Sequence, residues 1–146
     1  MNCLILADAE RAPHLFQFNG PGEREQLEKW IRTRGWVVPR DLLEFWTLTS
    51  GGQILETERF LRPLALPNGE EEVAAVTAWC YKRGMPKGLV VFHEGLGFTA
   101  VRPDGSYVSL DSDVQVRGEY RDLDDWYVNT LREEYAGRYR LPPLPE

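Results

Sequence analysis

The clearest hydrophobic pattern in the chain lies between Trp36 and Gly52, where apolar side chains recur every three or four residues. This spacing predicts an amphipathic helix with one buried face. Pro39 suits the first turn of that helix, since its fixed φ matches helical backbone. Gly51 and Gly52 suit its end, because glycine adopts the left-handed conformation without steric cost. The predicted buried face comprises Leu42, Phe45, Trp46 and Thr49, widened by Leu43.

Three other segments show helical spacing of apolar residues, namely 23–34, 70–83 and 122–135. Acidic residues open each segment, which agrees with the positive end of the helix dipole. Asp122 is predicted to cap the last helix at its N-terminus, and Gly137 is predicted to end it.

Short apolar and β-branched runs predict strands at 89–92, 98–102, 106–110 and 114–117. Asp104 and Gly105 stand between two of these runs and form a strong hairpin signal. The runs CLIL and HLFQF predict a strand-like extension over residues 1–20, either as a hairpin or as an edge strand. Residues 53–66 lack a clean period, so we interpret them as one extended segment followed by a loop.

Together these elements predict an α+β fold with a single antiparallel sheet of about four to six strands and helices packed on one side or end. The chain of 146 residues has the length of a single domain, residues 1–146. Residues 138–146 are predicted to be a proline-rich tail that does not continue the last helix.

The order of three motifs resembles that of the SUKH superfamily, over roughly residues 23–135. The motifs are WVVPRDLLEFWTLTSGG (36–52), LVVFHEGLGFTAVRPDGSYVSLD (89–111) and YRDLDDWYVNTL (120–131). That superfamily contains bacterial immunity proteins and fungal regulators of cell-wall assembly. The resemblance implies a SUKH-like fold that recognises a protein partner, and many bacterial members neutralise a toxin from a related cell.

Composition and cysteine use favour a folded protein of a reducing compartment. Hydrophobic residues make up 42% of the chain and charged residues 27%, a balance typical of globular rather than disordered proteins. Cys3 and Cys80 lack metal-type spacing, and Cys80 falls on the apolar side of its helix as a small core residue. No signal peptide or membrane-length apolar run is recognisable, so we expect a cytoplasmic protein that does not enter a membrane.

The negative charge is concentrated near the C-terminus. Between Asp104 and Glu134 the chain has nine acidic and three basic residues, so this window carries the whole net charge of −6. The pattern disfavours direct nucleic-acid binding and favours a basic protein partner, such as a basic nuclease toxin, although a merely solvated surface gives the same pattern. The candidate partner-binding residues are Glu94, Asp104, Asp111, Asp113, Glu119, Asp122, Asp124 and Asp125.

No constellation of catalytic or metal-binding residues is recognisable. The chain has two histidines and lacks the common zinc, nucleophile-elbow and phosphate-loop motifs, so we predict a non-enzyme without a metal or cofactor. Trp36 and His93 are candidates for lining a groove. Two alternatives stay open: a regulatory module for an endogenous protein, and a small-ligand domain using Trp36, His93 and Glu94. Core packing is the predicted role of Trp30, Trp46, Trp79 and Trp126.

Overall fold

A computed structural model describes residues 3–144 as one antiparallel sheet surrounded by helices. The helices are α1 (Leu4–Arg11), α2 (Arg24–Arg34), α3 (Arg40–Thr49), α4 (Glu72–Tyr81), α5 (Leu123–Tyr127) and α6 (Glu133–Tyr139), with a 3-10 turn at Pro13–Leu15 and a π segment at Val128–Arg132. The strands are β1 (Phe16–Phe18), β2 (Gly52–Ile54), β3 (Glu58–Phe60), β4 (Val90–Glu94), β5 (Phe98–Val101), β6 (Tyr107–Leu110) and β7 (Val116–Tyr120).

The sheet has seven antiparallel strands in the order of the chain, from β1 to β7. The α+β class and the single antiparallel sheet are therefore confirmed, but the predicted count of four to six strands is wrong. The count is low because β2 and β3, with three residues each, were predicted as one extended segment, and a run of three is too short for a period to be recognised. Leu55 and Glu56 turn the chain between β2 and β3 with positive φ values of 49° and 65°. Neither residue is typical of such a turn, so the sequence contains no hairpin signal there.

The strand-like extension predicted for residues 1–20 is mostly wrong. Leu4–Arg11 is a helix that buries Ile5 and Asp8 and contacts α5, while Met1 and Asn2 lie outside the described residues. Only the second run forms a strand, Phe16–Phe18, which pairs with β2 at the edge of the sheet.

The predicted cap of the last helix is confirmed, because Asp122 accepts a hydrogen bond from the Asp125 backbone N–H at 2.7 Å. From there α5, the π segment and α6 run on continuously to Tyr139. Gly137 lies inside α6, and Arg140 ends the helix with a φ of 54°. The helix thus extends two residues into the predicted tail 138–146, whose last two residues lie outside the described part of the chain.

Helices cover both faces of the sheet, contrary to the prediction that they gather on one side or end. Phe98 of β5 contacts Trp79 of α4, whereas Thr99 bonds to His93, which packs on Trp126 of α5. Successive side chains of a strand point to opposite faces, so α4 and α5 lie on opposite faces of β5.

The core is an aromatic cluster between the sheet and the helices α3 and α5. Phe60 packs edge-on against Phe45 and Trp126, with ring centroids 4.8 Å and 5.9 Å apart, and stacks on Phe92. Trp46 and Trp126 are buried as predicted and Trp30 is partly buried, whereas Trp79 is 41% exposed. Within residues 3–144, no helix has the length and apolar character needed to cross a membrane.

Candidate functional site

The predicted acidic residues occupy opposite ends of the last two hairpins. Asp104 lies in the β5–β6 turn, and Glu119 near the same end of β7 forms an ion pair with Arg102 at 2.7 Å. Asp111 and Asp113 lie in the β6–β7 turn, at the other end of these antiparallel strands. The single acidic surface expected from the sequence is therefore divided by the length of the strands.

Several of the predicted binding carboxylates hold the fold together. Asp122 caps α5, and Asp125 accepts hydrogen bonds from the Arg121 backbone N–H and the Asn129 amide. Asp124 accepts a hydrogen bond from the Leu4 backbone N–H at 2.9 Å, and burial raises the pKa of its carboxyl above the ordinary value. These carboxylates already accept hydrogen bonds within the fold, so their oxygens have less capacity to accept hydrogen bonds from a partner.

Asp111 organises the β6–β7 turn. Its carboxylate accepts hydrogen bonds from the Asp113 and Gln115 backbone N–H groups and pairs with Arg117 at 2.6 Å. The bond from Gln115 is the main cause that holds the pKa of Asp111 below its ordinary value, despite the opposing effect of desolvation.

Glu94 lies on the face of the sheet that α4 covers. Its carboxylate pairs with Arg59 at 3.0 Å, and Arg59 also lies 3.5 Å from Glu72 of α4. Together with Ala75, Val76, Trp79 and Phe98, Glu94 lines a groove of about 290 Å³. Arg83 stacks over the Trp79 ring at 3.3 Å from its centroid, so a cation already covers part of this aromatic surface.

Four carboxylates of the acidic window remain exposed and form no ion pair within residues 3–144. They are Asp104, Asp113, Glu133 and Glu134.

A buried polar network joins β3, β4 and β5 to α6. His93 Nε2 lies 2.8 Å from Glu58 Oε1, and its Nδ1 lies 2.9 Å from Thr99 Oγ1. The Tyr135 hydroxyl donates to Glu58 Oε2 at 3.0 Å, and Thr57 lies 3.0 Å from the same hydroxyl. Glu58, His93, Thr99 and Tyr135 are each at most 6% exposed, so the network lies in the core.

The network keeps Glu58 ionised. Burial is the largest influence and by itself raises the pKa of Glu58, but hydrogen bonds from His93, Tyr135 and Thr57, with the charge of His93, outweigh it. The pKa of Glu58 therefore lies below its ordinary value of 4.5. With the carboxylate ionised, His93 Nε2 is the donor of the shared hydrogen bond.

The order of carboxylate, imidazole and hydroxyl matches that of a nucleophilic triad, but Thr99 is poorly placed for attack. Its side chain is 3% exposed in the middle of the sheet, where it pairs with His93 and with Ser109 on the neighbouring strands. Thr99 helps to line the cleft described next, but only 3% of the residue is accessible. The network joins Tyr135 of α6 to the sheet through Glu58 and His93.

A cleft of about 160 Å³ opens above this network, between the β4–β5 turn and the last helix. Leu96, at the tip of that turn, is 98% exposed at the rim. The lining residues are Glu58, His93, Leu96, Gly97, Phe98, Thr99, Ser109, Leu110, Trp126, Thr130, Leu131, Glu134 and Tyr135.

The candidate groove residues Trp36 and His93 do not share a site. Trp36 packs edge-on against Trp30 at 5.4 Å, beside α2, and does not line the cleft at His93. Burial raises the pKa of the Cys3 and Cys80 thiols to about 11, so both are neutral at pH 7. Among residues 3–144, no three His, Cys, Asp or Glu side chains are grouped to hold a metal ion.

Sequence reasoning missed Glu58, Tyr135 and Leu96. Nothing in the local sequence distinguishes Glu58 from the other glutamates, because its partners come from β4 and the last helix. Leu96 did have a signal, since a large apolar residue between Gly95 and Gly97 is expected at an exposed turn.

Comparison with known proteins bears on the fold. No family model matches the chain, and no curated protein matches it. Among solved structures, the chain is similar to a protein from Pseudomonas syringae pv. tomato, with 17% sequence identity and a TM-score of 0.61. The match covers 86% of this chain and 96% of that chain. At this identity the two proteins share a fold, and the similarity carries no function.

Proposed function

We propose that the chain is a non-enzymatic protein-binding module that binds a basic partner through the exposed carboxylates of its C-terminal third. The observation that carries the proposal is the set of four carboxylates, Asp104, Asp113, Glu133 and Glu134, which are exposed and form no ion pair within residues 3–144. Complementary charge would speed encounter with a basic protein and exclude acidic ones.

The proposed biological role is that of a bacterial immunity protein, which neutralises a cognate toxin such as a basic nuclease. The support is the motif order that resembles the SUKH superfamily, together with the location of the acidic charge. A nuclease toxin must itself bind a polyanion, so a basic surface that an acidic protein can occupy is expected of it.

The first test is affinity capture from the host cell. The tagged protein is incubated with cell extract, and bound proteins are eluted in a salt gradient and identified by mass spectrometry. A basic partner that elutes at raised salt supports the proposal, because screening weakens contacts between exposed charges. Acidic partners only would contradict it. A partner that is an endogenous regulator rather than a toxin would favour the regulatory alternative.

A matched pair of triple variants tests the surface. Asp113→Asn, Glu133→Gln and Glu134→Gln remove three exposed carboxylates from the C-terminal third. Glu10→Gln, Glu25→Gln and Glu70→Gln remove three exposed carboxylates elsewhere, so both variants lose the same charge. We expect the first set to weaken binding of the captured partner about tenfold and the second set less than about twofold. Equal losses would show that net charge, and not this surface, governs binding.

Immunity itself is tested in cells. The captured toxin candidate is expressed in a sensitive host with the wild-type chain or with the first triple variant. Restored growth with the wild type and weaker protection with the variant are expected. Absence of protection by a wild-type chain that binds the candidate would contradict the immunity role and leave the binding role.

A further inference from the structure

The cleft beside the β4–β5 turn has walls suited to the stem of a long side chain. Leu110, Leu131 and Trp126 supply apolar surface, and the polar groups lie at its floor and rim. At about 160 Å³ the cleft is smaller than the roughly 300–1,000 Å³ typical of metabolite pockets. It therefore fits one extended side chain better than a free small molecule.

The charge of the cleft favours a cation. Glu58 and Glu134 line it, and among residues 3–144 no lysine or arginine does. Glu58 is already bonded to His93 and Tyr135, whereas Glu134 is exposed and forms no ion pair within the described chain. Glu134 is thus the carboxylate available at the rim, with the Thr130 and Ser109 side chains as neighbours in the lining.

Leu96 gives the rim an apolar contact. It is 98% exposed, the highest exposure among the exposed large hydrophobic side chains of residues 3–144. The Gly97 position that follows has no room for a side chain, since a Cβ there would meet the Leu110 carbonyl oxygen. The backbone of the turn therefore lies close against β6, with Leu96 beside the cleft. A partner that covers this side chain would remove its apolar surface from water, which favours binding.

We propose that this cleft receives a lysine or arginine side chain of the basic protein partner, with Leu96 as the apolar contact beside it. The inference rests on the proposed function and places the site at one of its exposed carboxylates, Glu134. The aliphatic stem of the side chain lies along Leu131 and Leu110, and its cationic head reaches the Glu134 carboxylate. Arginine is favoured over lysine where a carboxylate and neighbouring hydroxyls accept several hydrogen bonds.

The test is an NMR titration of the isotope-labelled full chain with a capped Gly-Arg-Gly peptide. The matched probe is the same peptide with citrulline, which keeps the shape of arginine without its charge. We expect saturable shifts at Leu96, Gly97, Thr130 and Leu131 with the arginine peptide, at roughly millimolar dissociation constants. We expect only small shifts with citrulline.

Neighbouring variants separate the cleft from general charge. Glu134→Gln is expected to weaken binding of the arginine peptide about five- to tenfold. Glu133→Gln removes the same charge outside the cleft lining and is expected to weaken that binding less than about twofold. Leu96→Ala is expected to weaken binding of the captured protein partner about tenfold, whereas Leu48→Ala, at another exposed leucine, is expected to leave that binding unchanged.

Three results overturn the inference, two of them from the titration. One is shifts spread evenly over all exposed carboxylates, and the other is an absence of saturable shifts in the cleft. Either leaves the proposed function to be judged by affinity capture, whose failure is a separate outcome. Equal effects of Glu134→Gln and Glu133→Gln on the binding of both peptide and partner would likewise exclude the cleft as the binding site. The exposed carboxylates would still stand as the proposed contact with the partner.

Discussion

At the residue scale, buried charges are retained where several partners meet them. Asp8 is fully buried in α1 and receives hydrogen bonds from Tyr127 at 2.7 Å and from Arg132 Nε at 2.9 Å. Arg132 also donates to the Pro142 carbonyl, which fixes the C-terminal segment. This cluster ties the N-terminal helix and the tail to the last helix.

Asp8→Asn tests that cluster. The substitution removes the negative charge that pairs with the mostly buried Arg132 guanidinium. We therefore expect the free energy of unfolding to fall by about 3–5 kcal/mol. Urea denaturation of both proteins measures the difference. Asp113→Asn, at an exposed turn, serves as the control and is expected to change stability by less than about 0.5 kcal/mol. Equal stabilities of the two variants would contradict the role given to Asp8.

Glu58→Gln tests the buried network through pH. The folded pKa of Glu58 lies below its ordinary value of 4.5, so ionised Glu58 stabilises the fold above about pH 4.5. That contribution is lost as the pH falls through the folded pKa. The wild type should therefore lose more stability between about pH 6 and about pH 3 than Glu58→Gln, measured by denaturation at each pH. At neutral pH the substitution is expected to lower the free energy of unfolding by about 1–3 kcal/mol. Parallel pH profiles would refute this account.

At the element scale, helix starts and long strands follow from local sequence, whereas short strands depend on their neighbours. Helix α2 spans Arg24–Arg34 and ends at Gly35, which has a φ of 71°. Its prediction needed only the spacing of apolar residues and that glycine. The strands β1 to β3 exist because they pair with one another and extend a sheet whose centre is β4 to β6. Three residues carry too little pattern to specify a strand without those partners.

Gly95→Ala tests how the β4–β5 turn meets the network. A Cβ at this position would fall against the Glu58 carboxylate, which His93 and Tyr135 hold in place. We expect a loss of about 1–3 kcal/mol in unfolding free energy. Gly137→Ala is the control, because a Cβ there has no neighbour within 4 Å and the residue lies inside α6. It should raise stability by about 0.5–1 kcal/mol. The same sign for both variants would contradict the steric account.

At the scale of the whole molecule, charge is unevenly distributed, and this should appear in association kinetics. Replacing the Asp104, Asp113 and Glu133 carboxylates with amides, while keeping Glu134, is expected to slow association with a basic partner and to flatten the dependence of that rate on salt. Dissociation should change less, because rim charges mainly steer encounter. Surface plasmon resonance at several salt concentrations measures both rates. A change confined to dissociation would indicate direct, desolvated contacts in place of steering.

The sequence by itself determined the class of fold, the helices α2 to α5 in outline, the central strands and the acidic C-terminal third. These features depend on periodicity, caps and composition, which are local. Only the tertiary structure decided that Leu4–Arg11 is a helix, that seven strands pair and that α4 and α5 cover opposite faces. It alone brought Glu58, His93 and Tyr135 together beneath a cleft, since contacts between distant segments leave no local pattern.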